Sequence, residues 1–115
     1  MNMRAETKKI VTAFLTHKPA TGAPTRTDGH ALYLHNNRIA WHDSNGVSMT
    51  MCGWGSVTTR ERLNGLCELL IGRRPYHQHK HEQFYDEQPI DTRAVIHIRQ
   101  INLLNDCEIS HLLAV

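Results

Sequence analysis

ALYLHNNRIAWHDSNGVSMTMC, Ala31 to Cys52, reads as three strands joined by two tight turns. Val47, Met49 and Met51 alternate with Ser48, Thr50 and Cys52, the two-residue period of a strand with one buried face. Ile39 and Trp41 alternate likewise. Strands are therefore expected over Ala31 to His35, Arg38 to Asp43 and Val47 to Cys52. Asn36-Asn37 suits a two-residue hairpin turn because asparagine tolerates positive φ, and DSNG, Asp43 to Gly46, suits a type I turn closed by glycine. The stretch predicts an antiparallel β-meander.

Downstream lies GWGSVTTRERLNGL, Gly53 to Leu66. Two glycines bracket Trp54 in a sheet-to-helix corner, and Thr58 with Glu61 forms a T-x-x-E capping box. With Gly65 as its stop, the helix spans about two turns, placing Leu63 inward and Arg60 and Arg62 outward. Leu66 to Gly72 is apolar and reads equally as a helical continuation or a strand. Tyr76 to His81 and Glu82 to Glu87 form a second hairpin, with Phe84 and Tyr85 supplying strand propensity. Thr92 to Ile98 is a further strand, and Asn105 with Glu108 repeats the cap signature before a closing helix, Asp106 to Leu113.

Upstream, Ile10, Val11, Phe14 and Leu15 recur at helical spacing, so Ala5 to His17 is an amphipathic helix. Lys18 to Gly29, dense in Pro, Gly and Thr, reads as a flexible connector. The class is α+β: one domain over 1–115, with a helix in 1–17, a loop in 18–29, a β-rich core in 30–91, and a strand and helix in 92–115.

The chain has 115 residues, 40% of them hydrophobic and 21% charged, a composition ordinary for a soluble domain. No apolar run reaches the roughly 20 residues of a membrane span, and the segment after Lys8 and Lys9 is too short for a signal peptide. A cytoplasmic protein without membrane attachment is expected. Three cysteines, Cys52, Cys67 and Cys107, lack CxxC spacing and read as buried free thiols. The net charge of +2 is uneven: up to Arg38, six Lys/Arg face only Glu6 and Asp28. The run from Glu82 to Asp91 is acidic, through Glu82, Asp86, Glu87 and Asp91.

Three sets of residues are candidates for function. His77, His79 and His81 alternate beside Glu82, a spacing that offers imidazoles from one strand face to a divalent metal; polar alternation on a surface strand produces the same pattern. Otherwise no cofactor is expected. Arg60, Arg62, Arg73, Arg74 and Lys80 form a basic band, with Trp54 and Tyr76 as rings on which bases stack. The acidic residues Asp86, Glu87 and Asp91 are the opposite surface for docking to a charged partner. Trp54 reads first as a plug for the sheet end, and as an interface anchor if it is exposed. No nucleophile motif or phosphate-binding loop is present, so the chain is not expected to be an enzyme.

TDGHALYLHNNRIAW followed by GWGSVTTRERLNGL resembles a family of small tailed-phage proteins, over Asp28 to about Asp91. The resemblance implies a β-meander, a short helix and a second hairpin, with the N-terminal helix and the segment from Thr92 as additions. Phages devote many short genes to inhibitors of host enzymes and defence complexes, anti-CRISPR proteins among them. By that analogy the chain is a non-enzymatic accessory protein in the bacterial host cytoplasm that binds and inhibits a host macromolecular complex. A nucleic-acid-binding accessory protein is the alternative, and a metal-dependent enzyme using the histidines is the third reading. The amphipathic terminal helices pack either on their own sheet or on a second copy in a homodimer.

Overall fold

The computed structural model describes residues 4–99. In chain order the elements are α1 (Ala5–Leu15), β1 (Ala20–Thr21), β2 (Thr25–Thr27), β3 (Ala31–Leu34), β4 (Asn37–Asp43), β5 (Gly46–Thr50), α2 (Val57–Ile71), β6 (Tyr76–His79), β7 (Glu82–Tyr85), β8 (Gln88–Pro89) and β9 (Val95–Arg99). A six-stranded antiparallel sheet has the order β1-β2-β3-β4-β5-β9, and a three-stranded one the order β6-β7-β8. The fold is α+β, with an N-terminal helix followed by a meander, as expected. The closing helix over Asp106 to Leu113 and Cys107 lie outside the described residues.

One face of the large sheet is the core. Ile10, Val11 and Phe14 of α1 join Leu32, Val47, Met49 and Met51 of the sheet segment and Leu63, Leu66 and Cys67 of α2 in a single buried cluster. Tyr76 of β6 completes it, edge-on to Tyr85 at 5.2 Å between ring centroids. Cys67 is buried, and burial pushes its thiol up to about 12, so it behaves as a small apolar side chain. Cys52 is only half-buried.

Four local readings change. The first hairpin turns at His35-Asn36, one residue earlier than expected, with φ of 49° and 67° and Leu34 paired to Asn37. Positive φ at both central residues is the requirement of the type I′ turn, and His35 meets it here as well as Asn36.

Second, the register shifts between Leu32 and Tyr33: Leu32 pairs with Ala40, but Tyr33 pairs with Arg38. Ile39 is the extra residue of a β-bulge. Ile39 and Ala40 are both buried, so Ile39 and Trp41 do not share a face, and Trp41 joins Arg38 on the side away from the helices.

Third, the connector is not a flexible loop. It contains β1 and β2, and Thr25 and Thr27 are buried with their hydroxyls engaged, Thr27 donating to the Ala31 carbonyl at 2.6 Å. Asp28 accepts from the Ala31 and His30 backbone amides, and these bonds hold its carboxyl below the usual range. A Thr-rich, Pro-containing segment thereby satisfies its backbone as an edge ribbon.

Fourth, α2 is twice as long as expected. Its N-cap is Ser56, whose hydroxyl accepts from the Thr59 amide, rather than Thr58. It runs through the buried Gly65 to a left-handed Gly72 with φ of 74°. Leu66 and Cys67 bury a further turn against the sheet, and that packing outweighs the local cost of a mid-helix glycine, about 1 kcal/mol.

The C-terminal end of α1 docks on His42 of β4. The imidazole stacks on Phe14 and His17, and its Nε2 lies 2.7 Å from the Phe14 carbonyl oxygen. Desolvation holds its pKa below the ordinary 6.5, with His17 and His30 adding repulsion. A histidine pKa lowered by folding contributes stability that is complete above the unfolded value and is lost as pH falls below it. Acidification from about pH 7.5 to 5.5 is expected to lower the urea midpoint of the wild type more than that of His42→Gln. Equal losses would remove His42 as the origin.

Candidate binding site

The chain leaves β5 through two left-handed residues, Cys52 at φ 55° and Gly53 at φ 85°. A Cβ on Gly53 would stand 3.0 Å from the Arg93 guanidinium, and one on Gly55 would stand 2.7 Å from the Gln83 amide nitrogen. Gly53 is favoured by its left-handed φ and Gly55 by the close approach of the Gln83 side chain, and between them Trp54 is held out into solvent, 64% exposed. The expectation of a buried plug is overturned, because Leu34, Ile39 and Met51 already close the core beneath. The corner is braced by backbone bonds from Trp54 N to Met51 O and from Gly53 N to Thr92 O. The Gly55 carbonyl accepts from Arg60 at 2.7 Å and from Gln83 at 3.3 Å.

Beside Trp54 opens a cleft of about 510 Å³. Leu34, Ile39 and Met51 form an apolar floor, Trp54 a wall, and His35 and Thr58 part of a polar rim. The turn that ends β3 and the first turn of α2 thus meet around one concave surface.

The arginines expected to form a basic band are dispersed into internal interactions. Arg62 does not point outward: it is 1% exposed, in the core between α1, α2 and β2. Its Nε donates to Thr25 Oγ1 at 2.8 Å, one amino group donates to Thr7 Oγ1 at 2.7 Å and Glu61 at 2.8 Å, and the other donates to Glu6 at 2.6 Å. Arg60 bridges Gly55 O to the side-chain oxygens of Gln78 and Gln83. Arg73 makes a two-pronged pair with Asp86, at 3.1 and 2.8 Å, so members of the two opposed candidate sets occupy each other. Arg74 pairs with Glu68 at 2.9 Å, and Lys80 is exposed at the β6–β7 turn, where it and His81 have positive φ.

Tyr76 is 3% exposed and offers no ring to a base. His77 stacks on Phe84 with its Nε2 2.6 Å from the Asp86 carbonyl oxygen, while His79 is exposed on β6 and His81 sits in the turn. Among the described residues no group of three or more His, Cys, Asp or Glu side chains is arranged to hold a metal ion. Glu87 is exposed, and Asp91 accepts from the Arg93 amide at 2.7 Å as a turn former.

A second surface escaped the sequence pattern. On the side of the large sheet away from the helices, the Arg26 guanidinium lies 4.2 Å from the centroid of Tyr33, and that of Arg38 lies 4.3 Å from Trp41. The bulge at Ile39 makes this possible, because strict alternation would put Arg38 and Trp41, three residues apart, on opposite faces.

Comparison with known protein families places this α+β chain among phage proteins. Its residues 3–102 match the family described as Kyanoviridae Gp96 protein, and the chain belongs to that phage protein family. The match takes in α1 and β9, so neither is an addition to the family's unit. Searches of curated proteins and of solved structures found no match. No described helix is long and apolar enough to cross a membrane.

Proposed function

We propose that this phage accessory protein acts without catalysis, by docking onto a host protein complex and inhibiting it, with Trp54 as the anchor. The observation that carries the reading is a tryptophan 64% exposed on a braced corner, beside a cleft with an apolar floor. Tryptophans so placed dominate interface energetics because they bury a large area with few rotors to freeze. The two glycines and the bonds to Gly55 O hold the corner before any partner arrives, which lowers the ordering cost of association. Phage membership supports a host target by analogy.

The test compares proteins retained from host lysate by immobilised wild type and by Trp54→Ala, followed by Kd measurement on the partner retained. Trp54→Ala is expected to weaken binding about 30-fold, the effect of a 2 kcal/mol hot spot, while folding stability changes by less than about 1 kcal/mol. Arg73→Ala, whose guanidinium is already engaged by Asp86, is expected to bind like wild type. Equal retention by Trp54→Ala would overturn the reading.

A further inference from the structure

We propose that the outer face of the six-stranded sheet binds single-stranded nucleic acid. This goes beyond the docking reading and does not rest on it, since the Trp54 cleft is floored by core-side residues and the outer face looks the opposite way.

The register defines the face. Arg26 pairs with Tyr33 and Tyr33 with Arg38, while Trp41 pairs with Ser48 and Ser48 with His97. Period-two alternation along β9 adds Val95 and Arg99, both exposed. The opposite residues of the same strands, Leu32, Ala40, Val47, Met49 and Ile98, are the buried apolar ones, while Ser48 on the outer face of β5 is buried with its hydroxyl between Asp43 and His97. The helices therefore cover one side, and the other presents two arginine-on-aromatic stacks followed by a histidine and a third arginine.

Its charge is one-sided. On these strands the outer face carries Arg26, Arg38 and Arg99 against a single carboxylate, Asp43. That carboxylate is already engaged, accepting from Ser48 Oγ at 2.5 Å and lying 3.1 Å from His97 Nδ1. Among the described residues neither Arg26 nor Arg38 has a carboxylate partner; Arg26 makes one long bond, 3.4 Å, to the Asn36 side chain. This contrasts with Arg62, Arg73 and Arg74, each of which is paired.

A guanidinium lying on a ring keeps its N–H edges for phosphate oxygens and turns its outer plane to a base, while Tyr33 and Trp41 supply further stacking surface. Unpaired bases stack on such sheet platforms, and arginines track the backbone. Among the described residues the face is built of strands, and a sheet platform of this kind suits unpaired bases better than the groove of a duplex. Val95, 54% exposed on the edge strand β9, adds apolar surface beside the rings.

The experiment is fluorescence anisotropy with labelled 20-nucleotide single-stranded DNA and RNA of mixed sequence, and a duplex control, using the full chain from about 50 to 300 mM salt. Binding to a single-stranded probe that weakens as salt rises, and duplex binding at least tenfold weaker, are expected. Arg26→Gln with Arg38→Gln is expected to cost at least tenfold and to lower the salt slope by about 1.4, the loss of two single-strand phosphate contacts. Trp54→Ala, with Trp41 as its one remaining tryptophan, is expected to bind like wild type and to show quenching of Trp41 by the oligonucleotide. The double glutamine variant keeps the rings and is checked for folding by circular dichroism. Absence of binding at low salt, or binding unchanged in that variant, overturns the proposal. So does salt-sensitive self-association that the variant abolishes without any oligonucleotide binding, which would give the face to a second copy.

Discussion

Arg62→Ala is expected to lower stability by about 3 kcal/mol, read as a shift of the urea midpoint at constant slope. The side chain is 1% exposed and its donors reach Thr7 and Glu6 on α1, Glu61 on α2 and Thr25 on β2. Truncation leaves a void and strips the cation from two carboxylates that have come partly out of water. Glu61 is the more costly to strand, since its side chain is 16% exposed against 35% for Glu6. Two features temper the loss: Arg4 stays 3.1 Å from Glu61, and the Thr7 hydroxyl donates to the same carboxylate. Solvent also screens Glu6. Arg62→Lys is expected to recover less than half, because one ammonium cannot fill a fork that serves three elements. A double-mutant cycle should give Arg62 a larger coupling to Glu61 than to Glu6. A loss under about 1 kcal/mol for Arg62→Ala would mean that the helices are held by apolar packing alone.

The sequence did carry a signal for this residue. Thr59, Arg62, Leu63 and Leu66 fall at positions i, i+3, i+4 and i+7, the buried stripe of an amphipathic helix, and all four are buried. Reading Arg62 outward followed its charge instead of its position. Its partners were not legible, since Glu6, Thr7 and Thr25 come from distant segments and only the fold brings them together. The connector was misread for a related reason: Thr25 and Thr27 alternate with Arg26 as strand residues do, but Pro and Gly on either side outweigh three residues in a composition count.

The meander was legible because two-residue periodicity and turn chemistry agree over Ala31 to Thr50. The bulge was not, since Ile39-Ala40 gives no local mark of an extra residue. That single inserted position hides the outer sheet face from pattern reading. Neither could periodicity tell an exposed Trp54 from a buried one: the glycines on both sides suit a tight corner in either case. For Arg73 and Arg74, charge alone suggested a band, whereas Asp86 and Glu68 neutralise them across turns whose geometry the sequence does not state.

Asn64→Ala is expected to cost about 3 kcal/mol, concentrated in the second sheet. The Asn64 amide donates to the Tyr76 carbonyl at 2.8 Å and its oxygen accepts from the Tyr76 amide at 2.8 Å, so one side chain completes the backbone bonding of the first residue of β6. Both residues are buried, and alanine would leave a donor and an acceptor unsatisfied, at about 1–3 kcal/mol each. Asn64→Asp separates this from packing. Ionised, it still accepts from the Tyr76 N–H but sets a negative oxygen against the carbonyl; protonated, it donates there again. Its folded pKa is thus raised, and its deficit relative to wild type should be small near pH 4 and grow towards pH 8. Hydrogen exchange should show faster opening of the Tyr76–Tyr85 hairpin, with β3 to β5 protected as before. Because Gln83 of β7 donates to Gly55 O, loosening this sheet also frees the corner that holds out Trp54. Asn64→Ala should then weaken partner binding without touching the cleft, by less than Trp54→Ala does. Unchanged binding in a variant with an opened second sheet would show that Arg60 alone suffices to brace the corner.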